Sequence, residues 1–283
     1  MLKYRLLTGG SFLSLVAALY IWGPTPLVAA VLLGITLLAV LEMVQMMTTA
    51  GYPALKWTSG GLVLLWMVGA YFSTTSETAA VKSLPTVMPI LSVWAVTIGC
   101  LFRKNQSQSL AKLMGSFLTI AYVAGLMQFM FLLLIAGRGE EDGRSLLLYA
   151  ILVIKFTDIG AYFIGSSIGK HKMIPTISPA KTWEGVIGGV VIATGVSSLL
   201  LFLYNYQLSG ISFSWVDGLV LGFGLAVVGV VGDLVESMLK RAAGVKDSGS
   251  WLKGMGGILD VLDSLIFALP LLYIYIYWGM NGL

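Results

Sequence analysis

Long apolar stretches separated by short polar segments make up most of this 283-residue chain. A helix that crosses a bilayer needs about 20 predominantly apolar residues. Nine stretches qualify, at residues 6–22, 27–50, 59–73, 84–102, 113–136, 146–165, 185–204, 216–232 and 258–278. The third is short for a span, and Glu42, Lys155 and Asp158 lie inside two of the others. The pattern predicts an all-α fold, a polytopic integral membrane bundle of about nine transmembrane helices.

The composition supports a membrane protein. Hydrophobic residues make up 58% of the chain and its mean hydropathy is +0.92, whereas soluble domains are roughly 45–50% apolar. Cys100, the only cysteine, lies in an apolar stretch, which excludes a disulfide framework and a cysteine-based zinc site. The first 22 residues have the basic start and apolar run of a signal peptide. The apolar stretches that continue along the chain favour a first transmembrane helix instead.

Basic residues are unevenly distributed among the segments that join the spans. Lys and Arg accumulate in cytoplasmic loops, so we place the N-terminus in the cytoplasm. That orientation puts 13 of the 17 basic residues on the cytoplasmic side: Lys3, Arg5, Lys56, Arg103, Lys104, Lys112, Lys170, Lys172, Lys181, Lys240, Arg241, Lys246 and Lys253. The net charge of +4 then reflects topology and attraction to anionic lipid headgroups. We expect no nucleic-acid partner, because no basic face with interleaved aromatic residues occurs.

Charge is concentrated in the window 232–263, which holds four basic and five acidic side chains. Residues three apart share a face of a helix, so Asp233 lies with Glu236. Asp260 and Asp263 pair in the same way. Carboxylates clustered beside hydrocarbon need a counter-charge and indicate a functional site. Oxygen ligands without Cys or His favour Mg²⁺, but the basic residues of the window could instead neutralise the carboxylates, and both interpretations stay open.

A glycine-rich loop, with Gly254, Gly256 and Gly257, comes just before the Asp260 helix. Glycines there would let backbone amides and a helix N-terminus approach a phosphate, although a flexible turn explains them equally well. Together with the basic residues and the carboxylate pairs, the loop supplies the groups that phosphoryl or nucleotidyl transfer needs.

These residues resemble the signature of the phosphatidate cytidylyltransferases, also called CDP-diacylglycerol synthases. That signature is Ser, two residues, Lys-Arg, four residues, Lys-Asp, then Pro-Gly-His-Gly-Gly and Asp-Arg-x-Asp. The matching positions here are Ser237, Lys240, Arg241, Lys246, Asp247, Gly254, Gly256, Gly257, Asp260 and Asp263. Lys253, Met255 and Val261 replace the Pro, the His and the Arg, so the signature is divergent. The stretches "TDIGAYFIG" (157–165) and "ISPAKTWEGVIGG" (177–189) are also similar to the family.

The resemblance implies an enzyme that transfers CMP from CTP to phosphatidate, giving CDP-diacylglycerol and pyrophosphate for phospholipid synthesis at the cytoplasmic face of the cell membrane. Its catalytic residues would be Asp233, Ser237, Lys240, Arg241, Lys246 and Asp247. Its metal ligands would be Asp233, Asp260 and Asp263, with one or two Mg²⁺ ions as cofactor. CTP, phosphatidate and membrane lipids are the implied partners, and a homodimer stays open.

The resemblance also implies residues that bind nucleotide or phosphate: Ser178, Lys181, Thr182, Glu184, Gly254, Gly256 and Gly257. Because Ser and Thr favour helix N-termini, the first four could instead cap the seventh span. Asp158 either pairs with Lys155 or faces the polar cavity. The four-residue spacing of glycines at 185 and 189, and at 218 and 222, is typical of close helix packing.

We divide the chain into N-terminal transmembrane helices, 1–112, and a catalytic transmembrane region, 113–283, with cytoplasmic loops 166–184 and 233–257. Two other functions stay open. An ion-coupled transporter would bind its cation near the bilayer midplane, whereas these charges lie at one membrane surface. A catalytically altered, CTP-dependent transferase that acts on another lipid phosphate would fit the three departures from the signature.

Overall fold

The computed structural model describes residues 2–76, 78–102, 108–137, 141–252 and 256–279. Within these ranges the helices are α1 (Leu2–Trp22), α2 (Thr25–Thr49), α3 (Lys56–Thr75), α4 (Ala79–Lys82), α5 (Leu84–Leu101), α6 (Ser109–Thr119), α7 (Gly125–Leu134), α8 (Arg144–Ile168), α9 (Trp183–Leu203), α10 (Trp215–Ala242) and α11 (Ile258–Ile274). A π-helical turn, Ile120–Ala124, joins α6 to α7, and another, Tyr275–Gly279, extends α11. Two antiparallel hairpins pair β1 (Lys172–Ile174) with β2 (Ser178–Thr182) and β3 (Gln207–Leu208) with β4 (Ile211–Ser212).

The predicted apolar stretches are all helical. Seven helices in the described ranges are long and apolar enough to cross a membrane: Thr25–Thr49, Leu84–Leu101, Ser109–Leu134, Arg144–Ile168, Trp183–Leu203, Trp215–Ala242 and Ile258–Gly279. The first and third stretches form α1 and α3 but are not among these seven. The all-α, multi-pass membrane fold is therefore confirmed, while the count of nine spans stays a prediction.

The chain separates into two compact units. The first combines Met1–Leu132 with Leu239–Val261, and the second combines Leu133–Met238 with Leu262–Leu283. The division at residue 112 is a functional one and stays a prediction.

Helices α2, α3, α5 and α6 pack together in the first unit. Met43, Met67 and Met127 are completely buried there, and the flexible thioether side chain of methionine fills irregular gaps between helices. A hydrogen bond also stabilises this core: Trp66 Nε1 donates to Gln128 Oε1 at 2.9 Å. The N-terminal helices thus form the packed core of the first unit.

Small residues bring the helices of the second unit into close contact. A Cβ placed on Gly189 of α9 would lie 2.6 Å from the carbonyl oxygen of Thr157 in α8, and one on Gly222 of α10 would lie 2.7 Å from the Cα of Thr194. Only glycine allows these backbones to approach so closely, which confirms the helix-packing role predicted for both glycine pairs.

The two segments predicted as cytoplasmic loops contain regular structure, and the helix predicted at the start of the charged window is confirmed. Residues 233–242 form the last part of α10, so the first polar residues of the charged window lie on a helix. The β1–β2 hairpin lies within the segment 166–184. Thr182 ends β2 and caps α9, because its Oγ1 accepts a hydrogen bond from Gly185 N at 3.2 Å. The hairpin is therefore tied directly to a membrane helix.

Candidate active site

Eight of the predicted site residues, with two additions, Glu42 and Ser248, form two polar centres, each inside one unit. The first polar centre, in the first unit, comprises Glu42, Lys240, Ser248, Gly257 and Asp260. The second polar centre, in the second unit, comprises Asp158, Lys181, Asp233, Ser237 and Asp263.

An ion pair between the hairpin and a helix organises the second polar centre. Lys181 on β2 places its Nζ 2.7 Å from Oδ2 of Asp233 on α10. Ser237, one turn further along α10, donates from Oγ to Oδ1 of Asp233 at 3.3 Å. The Lys181 and Asp233 side chains are 21% and 28% exposed, and an ion pair in such a position contributes at most about 1 kcal/mol. A bound phosphate or cation could therefore replace either partner at little cost in stability.

A cavity of about 550 Å³ lies beside this ion pair. Its polar lining includes Thr157, Asp158, Lys172, Lys181 and Asp233. The volume falls within the range of small-molecule sites, roughly 300–1,000 Å³. Asp158 lines the cavity and also lies 3.6 Å from Nζ of Lys155, so both interpretations of this residue hold.

Asp263 lies on α11 near two other carboxylates. Its Oδ1 accepts a hydrogen bond from Ser264 N at 2.5 Å. The negative charges of Asp233 and Asp158 act on it, and the positive charge of Lys155 partly opposes them. Three helices thus contribute one carboxylate each to the same region of the second unit.

The carboxylates of the second polar centre fit a hard divalent cation that a substrate helps to bind. Mg²⁺ commonly takes one or two protein carboxylates together with substrate phosphates and water. Among the residues that the structure describes, no group of three or more His, Cys, Asp or Glu side chains is arranged to hold a metal ion by itself. Asp233 and Asp263 are the two carboxylates of this centre that the sequence predicts as Mg²⁺ ligands, and that role stays a prediction.

A second ion pair, much less exposed, organises the first polar centre. Lys240 Nζ on α10 lies 2.6 Å from Oδ1 of Asp260 on α11, and the two side chains are 11% and 10% exposed. Oδ2 of Asp260 accepts hydrogen bonds from Ser248 N at 2.8 Å, Ser248 Oγ at 2.8 Å and Gly257 N at 2.7 Å. Lys240, a basic residue of the charged window, thus neutralises Asp260. This is the salt-bridge interpretation of the window. The metal-binding role predicted for Asp260 stays a prediction.

Glu42 is a member of the first polar centre that the sequence pattern did not indicate. It lies inside α2 and is 1% exposed. Its Oε1 accepts from Ile258 N at 2.8 Å, and its Oε2 accepts from Leu259 N at 2.9 Å and from Ser248 Oγ at 3.0 Å. The signal that could have found it is a lone carboxylate inside an apolar span, because such groups are costly in a membrane and usually functional.

Gly256 and Gly257 lie against the two carboxylates of the first polar centre. Gly256 has φ of +91°, a conformation that favours glycine, and it pairs with Leu252 through two backbone hydrogen bonds of 3.0 and 3.1 Å. Gly254, Lys253 and Met255 lie outside the described residues. Val261, where the signature has Arg, is buried at 8% exposure.

The other predicted residues occupy caps and exposed turns. Glu184, in the first turn of α9, accepts from Lys170 N at 3.2 Å and lies 2.6 Å from Nδ1 of His171. With Thr182 at the N-cap, this is the capping arrangement that the sequence left open, and the nucleotide-binding roles of both residues stay predictions. Ser178 begins β2. The remaining three follow or end α10 and are exposed: Arg241, Lys246 and Asp247.

A sequence profile described as the cytidylyltransferase family matches residues 3–278 of the chain. The chain belongs to the cytidylyltransferase family. The family resemblance drawn from the charged window is thus confirmed. The matched range also includes the N-terminal helices, which lie outside that window.

Several curated phosphatidate cytidylyltransferases are similar to part of this family member. The Staphylococcus haemolyticus protein is 49% identical over 135 residues, which are 48% of this chain and 50% of that protein. The Bacillus subtilis protein is 46% identical over 134 residues, 47% of this chain and 48% of that protein. The Staphylococcus saprophyticus protein is 42% identical over 157 residues, 56% of each. The chain thus spans about half the length of the curated relatives it matches.

Proposed function

We propose that this chain is a phosphatidate cytidylyltransferase, which transfers CMP from CTP to phosphatidate and releases pyrophosphate. Its family and the activity in its relatives' names support the proposal. The structural observation that carries it is the Lys181–Asp233 ion pair beside the 550 Å³ cavity. This pair offers a cation for a phosphate and a carboxylate for a metal ion in one accessible place.

The reaction requires charge neutralisation and alignment more than proton transfer. An oxygen of the phosphatidate phosphate bonds to the α-phosphorus of CTP. The bond from that phosphorus to the oxygen bridging the α- and β-phosphates breaks, and pyrophosphate leaves with the electron pair. A phosphate monoester has a second pKa of about 6, so it is largely ionised near neutral pH and needs no protein base. The protein's contribution is then electrostatic.

The basic residues would have different roles in this charge neutralisation, because some are exposed and others are buried. Lys181 would bind a phosphate oxygen when the ligand displaces Asp233, which the small energy of their partly exposed pair permits. Arg241 and Lys246 are exposed and would attract the triphosphate of CTP. Lys240 is tied to Asp260 and fixes the start of α11. Ser237 and Asp247 keep the catalytic roles implied by the signature.

Asp233 and Asp263 are the residues that would hold Mg²⁺, with Asp260 as the third predicted ligand. The bound ion would neutralise charge on the phosphates and favour the departure of pyrophosphate. Chelation should therefore abolish turnover and added Mg²⁺ should restore it. Full activity after exhaustive treatment with EDTA would contradict the assignment.

We place the reaction at the cytoplasmic surface of the cell membrane. The concentration of basic residues in the segments on that side supports this placement. Phosphatidate would reach the site from the lipid that surrounds the helices.

The deciding experiment is a reconstitution with purified protein. Protein in detergent is incubated with CTP, phosphatidate and Mg²⁺, and pyrophosphate release and CDP-diacylglycerol are both measured. Omission of any one component should abolish both products. Other lipid phosphates are tested in parallel, and turnover with one of them but not with phosphatidate would overturn the proposed substrate.

A further inference from the structure

Glu42 connects the second helix of the chain to the start of α11. The backbone N–H groups that it accepts from, on Ile258 and Leu259, lie 216 and 217 positions later in the sequence. These N–H groups belong to the first turn of α11, where helical donors have no partner within their own helix. A remote buried carboxylate therefore caps this helix, in place of the usual neighbouring side chain.

Two glycines, Gly249 and Gly257, pack directly against the Glu42 carboxylate. A Cβ on Gly249 or on Gly257 would collide with the Glu42 carboxylate, and one on Gly257 would also collide with Ser248 Oγ. Two glycines of the charged window thus leave room for one side chain of α2. A carboxylate that merely happened to lie inside an apolar span would not need two glycines packed against it.

Ser248 links Glu42 to Asp260. Its Oγ lies 3.0 Å from Oε2 of Glu42 and 2.8 Å from Oδ2 of Asp260. A hydroxyl group has one hydrogen to donate, so the two carboxylates share it. Asp260 in turn holds Lys240 at 2.6 Å. A continuous series of polar contacts therefore runs from α2 through Glu42, Ser248 and Asp260 to Lys240.

We propose that Glu42 is a positioning residue for the transfer reaction. It fixes Ser248 and the first turn of α11, and through them it sets the orientation of Asp260 and Lys240. Its burial keeps it away from substrate, so it acts only through these neighbours. The catalytic part of the inference rests on the proposed function, whereas the capping geometry can be tested without it.

The variant Glu42→Gln keeps the size of the side chain and removes one acceptor. An amide group has one oxygen and one NH₂, so an N–H of α11 or the Ser248 hydroxyl would face a donor. Small displacements of reacting groups can lower rates about 100-fold. We expect kcat to fall by about that factor while KM for CTP stays within about threefold, because the substrate contacts themselves remain.

Two further variants complete the kinetic test. Thr36→Val is the matched control, because Thr36 is buried on α2 and its Oγ1 donates to Leu32 O of its own helix; its kcat should equal that of the wild type. Ser248→Ala breaks the same series one step later. If Glu42 acts through Ser248, the double variant should lose little more kcat than the worse single variant. Fully additive losses, or wild-type kcat in Glu42→Gln, would overturn the positioning role.

Hydrogen exchange of the amides at 258 and 259 gives a readout that does not depend on activity. Both amides should exchange faster in Glu42→Gln and at the wild-type rate in Thr36→Val. Unchanged exchange in Glu42→Gln would overturn the inference even in an active enzyme. If the wild type shows no turnover with CTP and phosphatidate while these amides lose protection, the proposed function fails and the capping role of Glu42 stands.

Discussion

Asp260 and Asp263 lie one turn apart on α11 but have opposite surroundings. Asp260 is bound by an ammonium group, two backbone N–H groups and a hydroxyl. Asp263 experiences the negative charges of Asp158 and Asp233. The same substitution should therefore lower the stability of the protein at Asp260 but not at Asp263.

Asp260→Asn should lower the thermal unfolding midpoint in detergent, and Asp263→Asn should leave it unchanged or raise it. The first change removes the carboxylate charge that lies 2.6 Å from Lys240 Nζ in a largely buried pair, and breaking a buried ion pair costs about 3–5 kcal/mol. The second removes a charge that other carboxylates repel. An Asp260→Asn protein as stable as the wild type would contradict the importance of the Lys240 pair.

Both variants should also lose turnover by a factor of about 10²–10³, the usual effect of deleting one electrostatic group from an active site. Pyrophosphate release with CTP and phosphatidate measures this loss. If both variants keep near-native rates, the role of the α11 carboxylates in the reaction is wrong.

Lys181→Ala should affect substrate use far more than folding. Its partly exposed pair with Asp233 contributes on the order of 1 kcal/mol to stability, so the unfolding midpoint should change little. A lost hydrogen bond to a charged group is typically worth about 1.5–3 kcal/mol, which corresponds to a roughly 10- to 100-fold lower kcat/KM for CTP. Lys170→Ala is the control, because Lys170 is exposed near the same hairpin and does not line the cavity.

At the scale of elements, close contact between α8 and α9 depends on glycine. Gly189→Ala would push a methyl group against the backbone of Thr157, so we expect a lower thermal unfolding midpoint. Gly195→Ala, on the same helix, is the control, since a Cβ there meets nothing within 4 Å. It should be neutral or slightly stabilising, because alanine favours helices over glycine by about 1 kcal/mol. Equal midpoints for the two variants would rule out the packing explanation.

The helices could be predicted from the sequence because long apolar stretches specify spans without reference to the rest of the chain. The carboxylates at 233, 260 and 263 were also found, because helical spacing and the family signature are local patterns. The β1–β2 hairpin was not, since its short strands form by pairing within a polar loop and against the start of α9. The role of Glu42 was missed because it depends on donors 216 positions away.

For the whole molecule, the distribution of basic residues predicts which loops face the cytoplasm. Ser250 and Gln207 are exposed and lie in segments predicted on opposite sides of the membrane. In intact cells, a membrane-impermeant maleimide added outside should label Gln207→Cys and not Ser250→Cys. Cys100 is buried, so background labelling should be low. The reverse labelling pattern would show that the orientation is inverted.

The first unit is discontinuous in sequence, and this has a consequence for biogenesis. During synthesis α2 enters the membrane long before residues 239–261 leave the ribosome, so Glu42 must wait in the bilayer without its donors. A carboxylate without hydrogen-bond donors is costly inside a membrane. Chains truncated before the last helix would lack the N–H groups of Ile258 and Leu259, so they should be less stable in the bilayer than the full chain.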